Sequence, residues 1–145
     1  MASSNAILVW LAEGTKYFGG DAWQRALTLS WMFFEQYDHE PRLAVNRAIQ
    51  SIFNTIAERR AEYDANFPKG YKALSVMENH LRATAEAGQG KPWFGAASAS
   101  IADIALYAYT HVADQGGFSL ADYPHIRAWL GEMERLPGHS RMTAS

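Results

Sequence analysis

The stretch that most constrains this chain contains Ser100 and Asp103, which stand three residues apart directly ahead of the apolar run 104–109. A serine followed at this spacing by a carboxylate predicts a capping box. In such a box, the side chain of each residue accepts a hydrogen bond from the backbone N–H of the other. The box fixes where a helix begins and satisfies donors that would otherwise lie bare inside a core. A helix that is apolar on nearly every face belongs in the middle of a bundle. We therefore expect an all-α fold, a bundle of about five or six helices around this central capped helix.

Composition excludes several classes of function. The 145 residues carry a formal net charge of −2, which provides no positive excess to hold a phosphate backbone, so no nucleic-acid partner is expected. The chain has no cysteine, which excludes disulfides and thiol catalysis within it and fits a cytoplasmic location. The apolar stretch 6–12 is too short to cross a bilayer, so no membrane partner is expected either.

Capping and breaking residues predict the helices of the first half. Residues 4–13 are expected to form a short helix with Ser4 as its N-cap. Asp21 is expected to cap a long helix, which Pro41 ends or kinks. The charged segment 57–66 is interpreted as a solvated turn of helix.

The second half contains two further signals for helix starts. Pro68 is expected at the beginning of a helix, where its missing N–H is tolerated. Asp122 is expected to cap the last helix, which should end at Pro137 and Gly138.

Asp38, His39 and Glu40 invite interpretation as a metal site. The metalloprotease pattern needs a second histidine four residues after the first, and Leu43 occupies that position. The five histidines of the chain show no paired spacing, so no metal site is expected. We interpret His39 as part of a polar helix end beside Pro41.

Three more segments carry distinctive motifs besides S-I-A-D-I-A-L-Y-A-Y-T-H-V-A at 100–113. They are S-N-A-I-L with L-A-E at 4–13, W-M-F-F-E-Q-Y at 31–37, and Y-P-H-I-R-A-W-L with L-P-G at 123–138. In this order the four segments resemble bacterial cytosolic glutathione transferases, from the end of the thioredoxin-like half through the C-terminal all-helical domain. The resemblance implies that 1–14 are a remnant helix of a thioredoxin-like domain and that 15–145 are the helical domain.

The same resemblance assigns a partial glutathione site. In the family, an acid and a serine at a helix start bind the γ-glutamyl end of glutathione. Ser4 matches the serine and is the remnant of that site, whereas Ser3 stands where the family has the acid. A plain helix cap is the alternative interpretation of Ser4. The family's catalytic residue lies further upstream, so no residue of this chain is expected to be catalytic.

The resemblance also assigns a pocket for the second substrate. The first long helix and the central helix wall the pocket for the apolar co-substrate in this family. Phe34 and Tyr37 on the first helix, with Tyr109 and Val112 on the central one, are the residues expected to line it.

These observations imply the co-substrate-binding and dimer-forming half of a glutathione transferase. Glutathione is then the co-substrate of the full-length enzyme, which adds its thiol to a small apolar electrophile, and the chain alone is not expected to do so. A homodimer, or association through exposed apolar residues of the helix 4–13, is expected. Two alternatives stay open, a stand-alone non-catalytic protein-interaction module and a binder of small apolar ligands.

Overall fold

A computed structural model describes residues 3–88, 93–95 and 98–140, and their regular structure is helical throughout. The α-helices are α1 Ser4–Ala12, α2 Ala22–Phe34, α3 Glu40–Arg47, α4 Arg60–Glu86, α5 Ile101–Thr110 and α6 Pro124–Glu134. π-helical turns at Glu35–His39 and Ala48–Ile52 follow α2 and α3, and short 3₁₀ turns occupy Lys16–Phe18 and Ala113–Gly116. The expected all-α bundle is confirmed.

Helix α5 lies in the middle of this bundle. Its residues Ala102 and Leu106 are fully buried, and it contacts α1, α2, α3 and α6. Trp129 of α6 and Met77 of α4 are likewise fully buried in the surrounding core. One side of α5 reaches the surface at Ile104, so the helix is apolar on nearly every face without being buried on every face. Among the described residues, no helix combines the length and apolarity needed to cross a bilayer.

The first two α-helices begin in different ways. Helix α2 starts with a capping box, since Asp21 Oδ1 accepts from the Gln24 N–H at 2.9 Å and Gln24 Oε1 accepts from the Asp21 N–H at 3.1 Å. Helix α1 starts without a side-chain cap. Its N-cap position is Ser3, and Ser4 is the first helical residue, so the assignment of Ser4 as the N-cap is wrong.

Pro41 does not end the first long helix. The chain passes from α2 through the π-helical turn Glu35–His39 into α3, and the Glu40 N–H bonds to the Glu35 carbonyl five residues back. A proline lacks an N–H and its ring crowds the carbonyl four residues earlier, which here belongs to Tyr37. A widened turn immediately before the proline relieves that crowding and lets the helical path continue.

Pro68 lies inside α4 instead of at its start. The preceding segment 57–66 is mostly exposed, as expected for a solvated turn of helix, but Tyr63 and Asn66 within it are buried and anchored in the bundle. Asn46 Nδ2 donates to the Tyr63 carbonyl at 3.1 Å, and Asn66 Nδ2 donates to Asn46 Oδ1 at 3.0 Å. Tertiary hydrogen bonds thus hold the helix together on the N-terminal side of the proline.

Helix α6 is capped by a side chain from another helix. Glu78 of α4 accepts the backbone N–H of His125 at 3.1 Å and of Ile126 at 2.9 Å. Burial works to raise the pKa of Glu78, but these two N–H groups and the His125 ring lower it on balance. Asp122 is exposed, and the N-cap position is Tyr123, whose side chain makes no cap. The predicted cap at Asp122 is therefore wrong, since Glu78 supplies the acceptor.

Candidate functional site

Ser100 and Asp103 form the capping box of α5 at the centre of the core. Asp103 Oδ2 accepts from the Ser100 N–H at 2.8 Å, and Ser100 Oγ accepts from the Ala102 N–H at 3.2 Å. The other carboxylate oxygen, Oδ1, accepts from the Phe94 N–H and from the Trp129 indole Nε1–H, both at 3.0 Å. One carboxylate therefore joins α5, α6 and the segment that precedes α5.

Burial raises the pKa of Asp103 to about 6, against the opposing effect of its hydrogen bonds from Phe94, Ser100 and Trp129. At neutral pH the group is still ionised. An ionised carboxylate only accepts hydrogen bonds, which matches a site whose neighbours donate. Its role in the described structure is to organise the core.

The remnant residue Ser4 is exposed in the first turn of α1. Its neighbour Asn5 connects this turn to α2, because Asn5 Nδ2 donates to Glu35 Oε2 at 2.8 Å and to the Met32 carbonyl at 3.3 Å. Gln36 Nε2 also donates to Glu35 Oε2, at 2.9 Å. The glutathione-binding turn assigned by resemblance is thus tied to a buried carboxylate on the first long helix.

Burial raises the pKa of Glu35, while the hydrogen bonds from Gln36 and Asn5 lower it and the charge of Glu40 raises it further. Burial also raises the pKa of Glu40. The pKa of Tyr109 on α5 is also raised. Burial is the larger cause, and the negative charges of Glu40 and Glu35 add to it. Sequence reasoning missed Glu35, since nothing in the local pattern distinguishes a buried glutamate from a solvated one.

The four residues expected to line a co-substrate pocket lie in different surroundings. Tyr37 is 77% exposed in the π-helical turn, whereas Val112 is only 6% exposed in the core. Phe34 is half-buried against Trp31, with ring centroids 5.3 Å apart, and Tyr109 is half-buried within range of the charges of Glu40 and Glu35. Phe34 lines a cleft whose other walls come from the π-helical turn, α3 and α4, and not from α5.

His39 lies fully buried in the bundle, so its interpretation as part of a polar helix end is wrong. Its Nε2 lies 2.9 Å from Thr110 Oγ1, and the Thr110 hydroxyl donates to the Leu106 carbonyl at 2.7 Å. Because that hydroxyl proton is already used, His39 Nε2 must carry the hydrogen and donate it to Thr110. Burial lowers the pKa of His39 to about 3, so the ring is neutral at physiological pH. Within the described residues, no group of three potential ligands is placed to hold a metal ion.

Two cavities flank the first long helix. An almost wholly apolar cavity of about 230 Å³, here called the α1–α2 cavity, is lined by Ser3, Asn5, Ala6, Val9, Leu29, Met32, Phe33 and Gln36. A cleft of about 210 Å³, here called the cationic cleft, is lined by Phe34, Asp38, Arg42, Lys69, Lys72, Ala73 and Val76. The sequence shows Lys69 and Lys72 on one face of a helix, but it does not reveal that Arg42 lies across from them.

Comparison with known proteins agrees with this architecture. Residues 30–137 match the model of the family "Glutathione S-transferase, C-terminal domain". The chain is 30% identical over 137 residues to the disulfide-bond oxidoreductase YfcG of Escherichia coli, covering 92% of this chain and 59% of that protein. It is also 30% identical over 120 residues to the glutathione S-transferase-like protein tpcF of Aspergillus fumigatus, covering 78% of this chain and 52% of that protein. The chain thus spans between one half and three fifths of these relatives.

Solved structures show the same relationship. A glutathione S-transferase from Pseudomonas fluorescens superposes with a TM-score of 0.88 at 47% identity, over 97% of this chain and 67% of that one. One from Xanthobacter autotrophicus superposes with a TM-score of 0.87 at 39% identity, over 95% and 64%. Ure2p in complex with glutathione, at 22% identity and a TM-score of 0.75 over 94% and 66%, shares the fold. The family model and these identities together establish that the chain belongs to the glutathione S-transferase family, whose C-terminal domain it contains.

Proposed function

We propose that this chain is the co-substrate-binding and dimer-forming half of a cytoplasmic glutathione transferase. In the complete enzyme the thiol of glutathione would be added to a small apolar electrophile. Residues 1–14 would belong to the thioredoxin-like domain and residues 15–145 to the helical domain. Glutathione would bind mainly to the thioredoxin-like domain, with Ser4 contributing to its γ-glutamyl end.

The exposed apolar face of α1 is the observation that carries the proposal. Ile7, Trp10 and Leu11 are 37%, 68% and 61% exposed. Their spacing places all three on one side of the helix, so they form a continuous apolar face. On the opposite side, Leu8 packs against the core and Ala12 is buried within it. An apolar face of this kind marks a surface that another polypeptide surface covers.

The co-substrate would contact the aromatic residues near the π-helical turn. Tyr37 is exposed and Tyr109 is half-buried, and the charges of Glu40 and Glu35 act on the Tyr109 phenol by raising its pKa. Phe34 lines the cleft between the π-helical turn, α3 and α4, and Val112 is buried in the core. Aromatic side chains suit small apolar substrates.

The chain is expected to self-associate or to bind hydrophobic dyes through the face of α1. Static light scattering at micromolar concentration should show a dimer or larger species, and dye fluorescence should rise on mixing. Trp10→Gln should reduce both signals, because Trp10 is the largest exposed side chain of that face. Trp23→Gln is the matched control, since Trp23 is 70% exposed but lies in the first turn of α2. A monomer that binds no dye would contradict the proposal.

The 145-residue chain alone is expected to conjugate glutathione no faster than the uncatalysed reaction. By resemblance, the group that activates the glutathione thiol belongs to the thioredoxin-like domain, and Ser3 replaces the acid that would pair with the α-amino group. The measurement is the absorbance change with a chlorinated dinitrobenzene, with heat-denatured chain as the control. Turnover that disappears on heating would require a catalytic residue within this chain.

A further inference from the structure

The cationic cleft carries a charge imbalance that the bundle itself does not neutralise. Three cations, Arg42, Lys69 and Lys72, line it together with one carboxylate, Asp38. Over the described parts of the chain, no carboxylate forms an ion pair with either lysine. Cations that outnumber the carboxylates on a concave surface attract an anion from solution.

Arg42 is held in place by a buried amide relay. Its Nη1 lies 3.5 Å from Oδ1 of Asn66, a residue that is buried in the core. Asn66 in turn donates from Nδ2 to Oδ1 of Asn46, which is fully buried and bonded to the backbone of α4. A guanidinium has five N–H donors, so this contact leaves donors for a carboxylate. Fixing the side chain in advance lowers the entropy that binding would otherwise cost.

The remaining walls of the cationic cleft are apolar. The ring of Phe34 and the side chains of Ala73 and Val76 lie beside the cations, and Ala73 is buried. At about 210 Å³ the cleft is smaller than most drug-binding pockets, which excludes large ligands. Asp38 would repel a second negative charge. The site therefore suits one small aromatic group, of one or two fused rings, that carries a single anionic group.

We propose that the cationic cleft binds a small aromatic carboxylate. Arg42, Lys69 and Lys72 hold the carboxylate, while the ring packs on Phe34 and Val76. The cleft is formed by α2, the π-helical turn, α3 and α4, and of the four residues expected to line the co-substrate pocket it includes Phe34 but not Tyr37, Tyr109 or Val112. Binding there requires no glutathione and no thioredoxin-like domain, so this inference does not rest on the proposed transferase function.

The test is a titration of the isotope-labelled full chain with 2-naphthoate, in which the chemical shifts of the backbone amides are measured by NMR. Neutral 2-naphthamide is the comparison ligand. Naphthoate should bind with a dissociation constant below about 1 mM, and naphthamide at least about tenfold more weakly. The shifts should concentrate at the residues of the cationic cleft. Raising the salt concentration should weaken naphthoate binding, because the exposed lysines are screened by ions.

Two double variants decide whether the site is specific. Lys69→Gln with Lys72→Gln should weaken naphthoate binding by about tenfold or more, and both lysines are exposed, so the fold should survive. Lys16→Gln with Arg127→Gln removes the same charge from exposed positions elsewhere and should leave binding unchanged. Equal losses in the two variants, equal affinity for naphthamide, or no saturable binding up to about 10 mM would each overturn the proposal.

Discussion

Asp103→Ala is expected to lower the free energy of unfolding by about 3 kcal/mol or more, because three buried donors lose their acceptor at about 1–3 kcal/mol each. These donors are the backbone N–H groups of Phe94 and Ser100 and the indole N–H of Trp129. Ser100→Ala should cost about 1–2 kcal/mol, the upper range for a helix cap. Denaturant titrations of both single variants and the double variant measure these values.

The two effects should not add, because Ser100 and Asp103 contact each other and contacting residues couple by about 0.5–3 kcal/mol. Asp21→Ala is the matched control, since Asp21 forms the same type of box with Gln24 at the exposed start of α2. It should cost only about 0.5–1 kcal/mol. If Asp103→Ala costs no more than Asp21→Ala, burial does not amplify the box, and the central position of α5 would have to be reconsidered.

Gly95→Ala is expected to destabilise the fold by about 2–4 kcal/mol, combining overpacking of about 1–3 kcal/mol with left-handed backbone strain of about 1 kcal/mol. Gly95 has φ of +84°, and a Cβ added there would lie 2.7 Å from both Cα and Oγ1 of Thr28 on α2. Helix backbone cannot move aside as the end of a long side chain can. The segment before α5 would therefore have to separate from α2.

Gly138→Ala is the control for the backbone conformation alone. Its φ of +82° is nearly the same, but an added Cβ would meet nothing within 4 Å. It should cost only about 1 kcal/mol, the strain of the left-handed conformation. Thermal or denaturant midpoints compare the two variants. Equal destabilisation would mean that Gly95 does not lie against α2 in solution.

The sequence-based predictions succeeded where the physical cause is local. The box at Ser100 and the cap at Asp21 are confirmed because each depends on a side chain and a backbone N–H within the same first turn. The all-α class is confirmed because the helical spacing of apolar residues and the absence of alternating strands act over short windows.

The errors at Pro68 and Asp122 involve partners that are distant in sequence, whereas the error at Ser4 is a shift of one residue at the start of α1. Pro68 was expected at a helix start, but Asn46 anchors the turn before it from 17 residues away. Asp122 was expected to cap α6, but Glu78 supplies the acceptor from 47 residues away. No window of sequence contains both members of such a pair, so no local pattern could reveal them.

The two candidate sites also differ in how much of each could be predicted from the sequence. Phe34, Tyr37, Tyr109 and Val112 follow from resemblance to the family, and their assignment to one co-substrate pocket stays a prediction. The cationic cleft depends on α3 and α4 packing side by side, which brings Arg42 to Lys69 and Lys72. Its charge is visible in the sequence, but its concave shape is not.

By itself, the sequence determined the all-α class, the starts of α2 and α5 and the family that the chain resembles, because these depend on side chains a few residues apart. Only the tertiary structure decided that Glu35 and His39 are buried and that Glu78 caps α6. Burial removes water from a charged or polar group and makes a hydrogen-bond partner necessary. In this bundle those partners, Asn5, Thr110 and the start of α6, come from other helices, and packing alone brings them together.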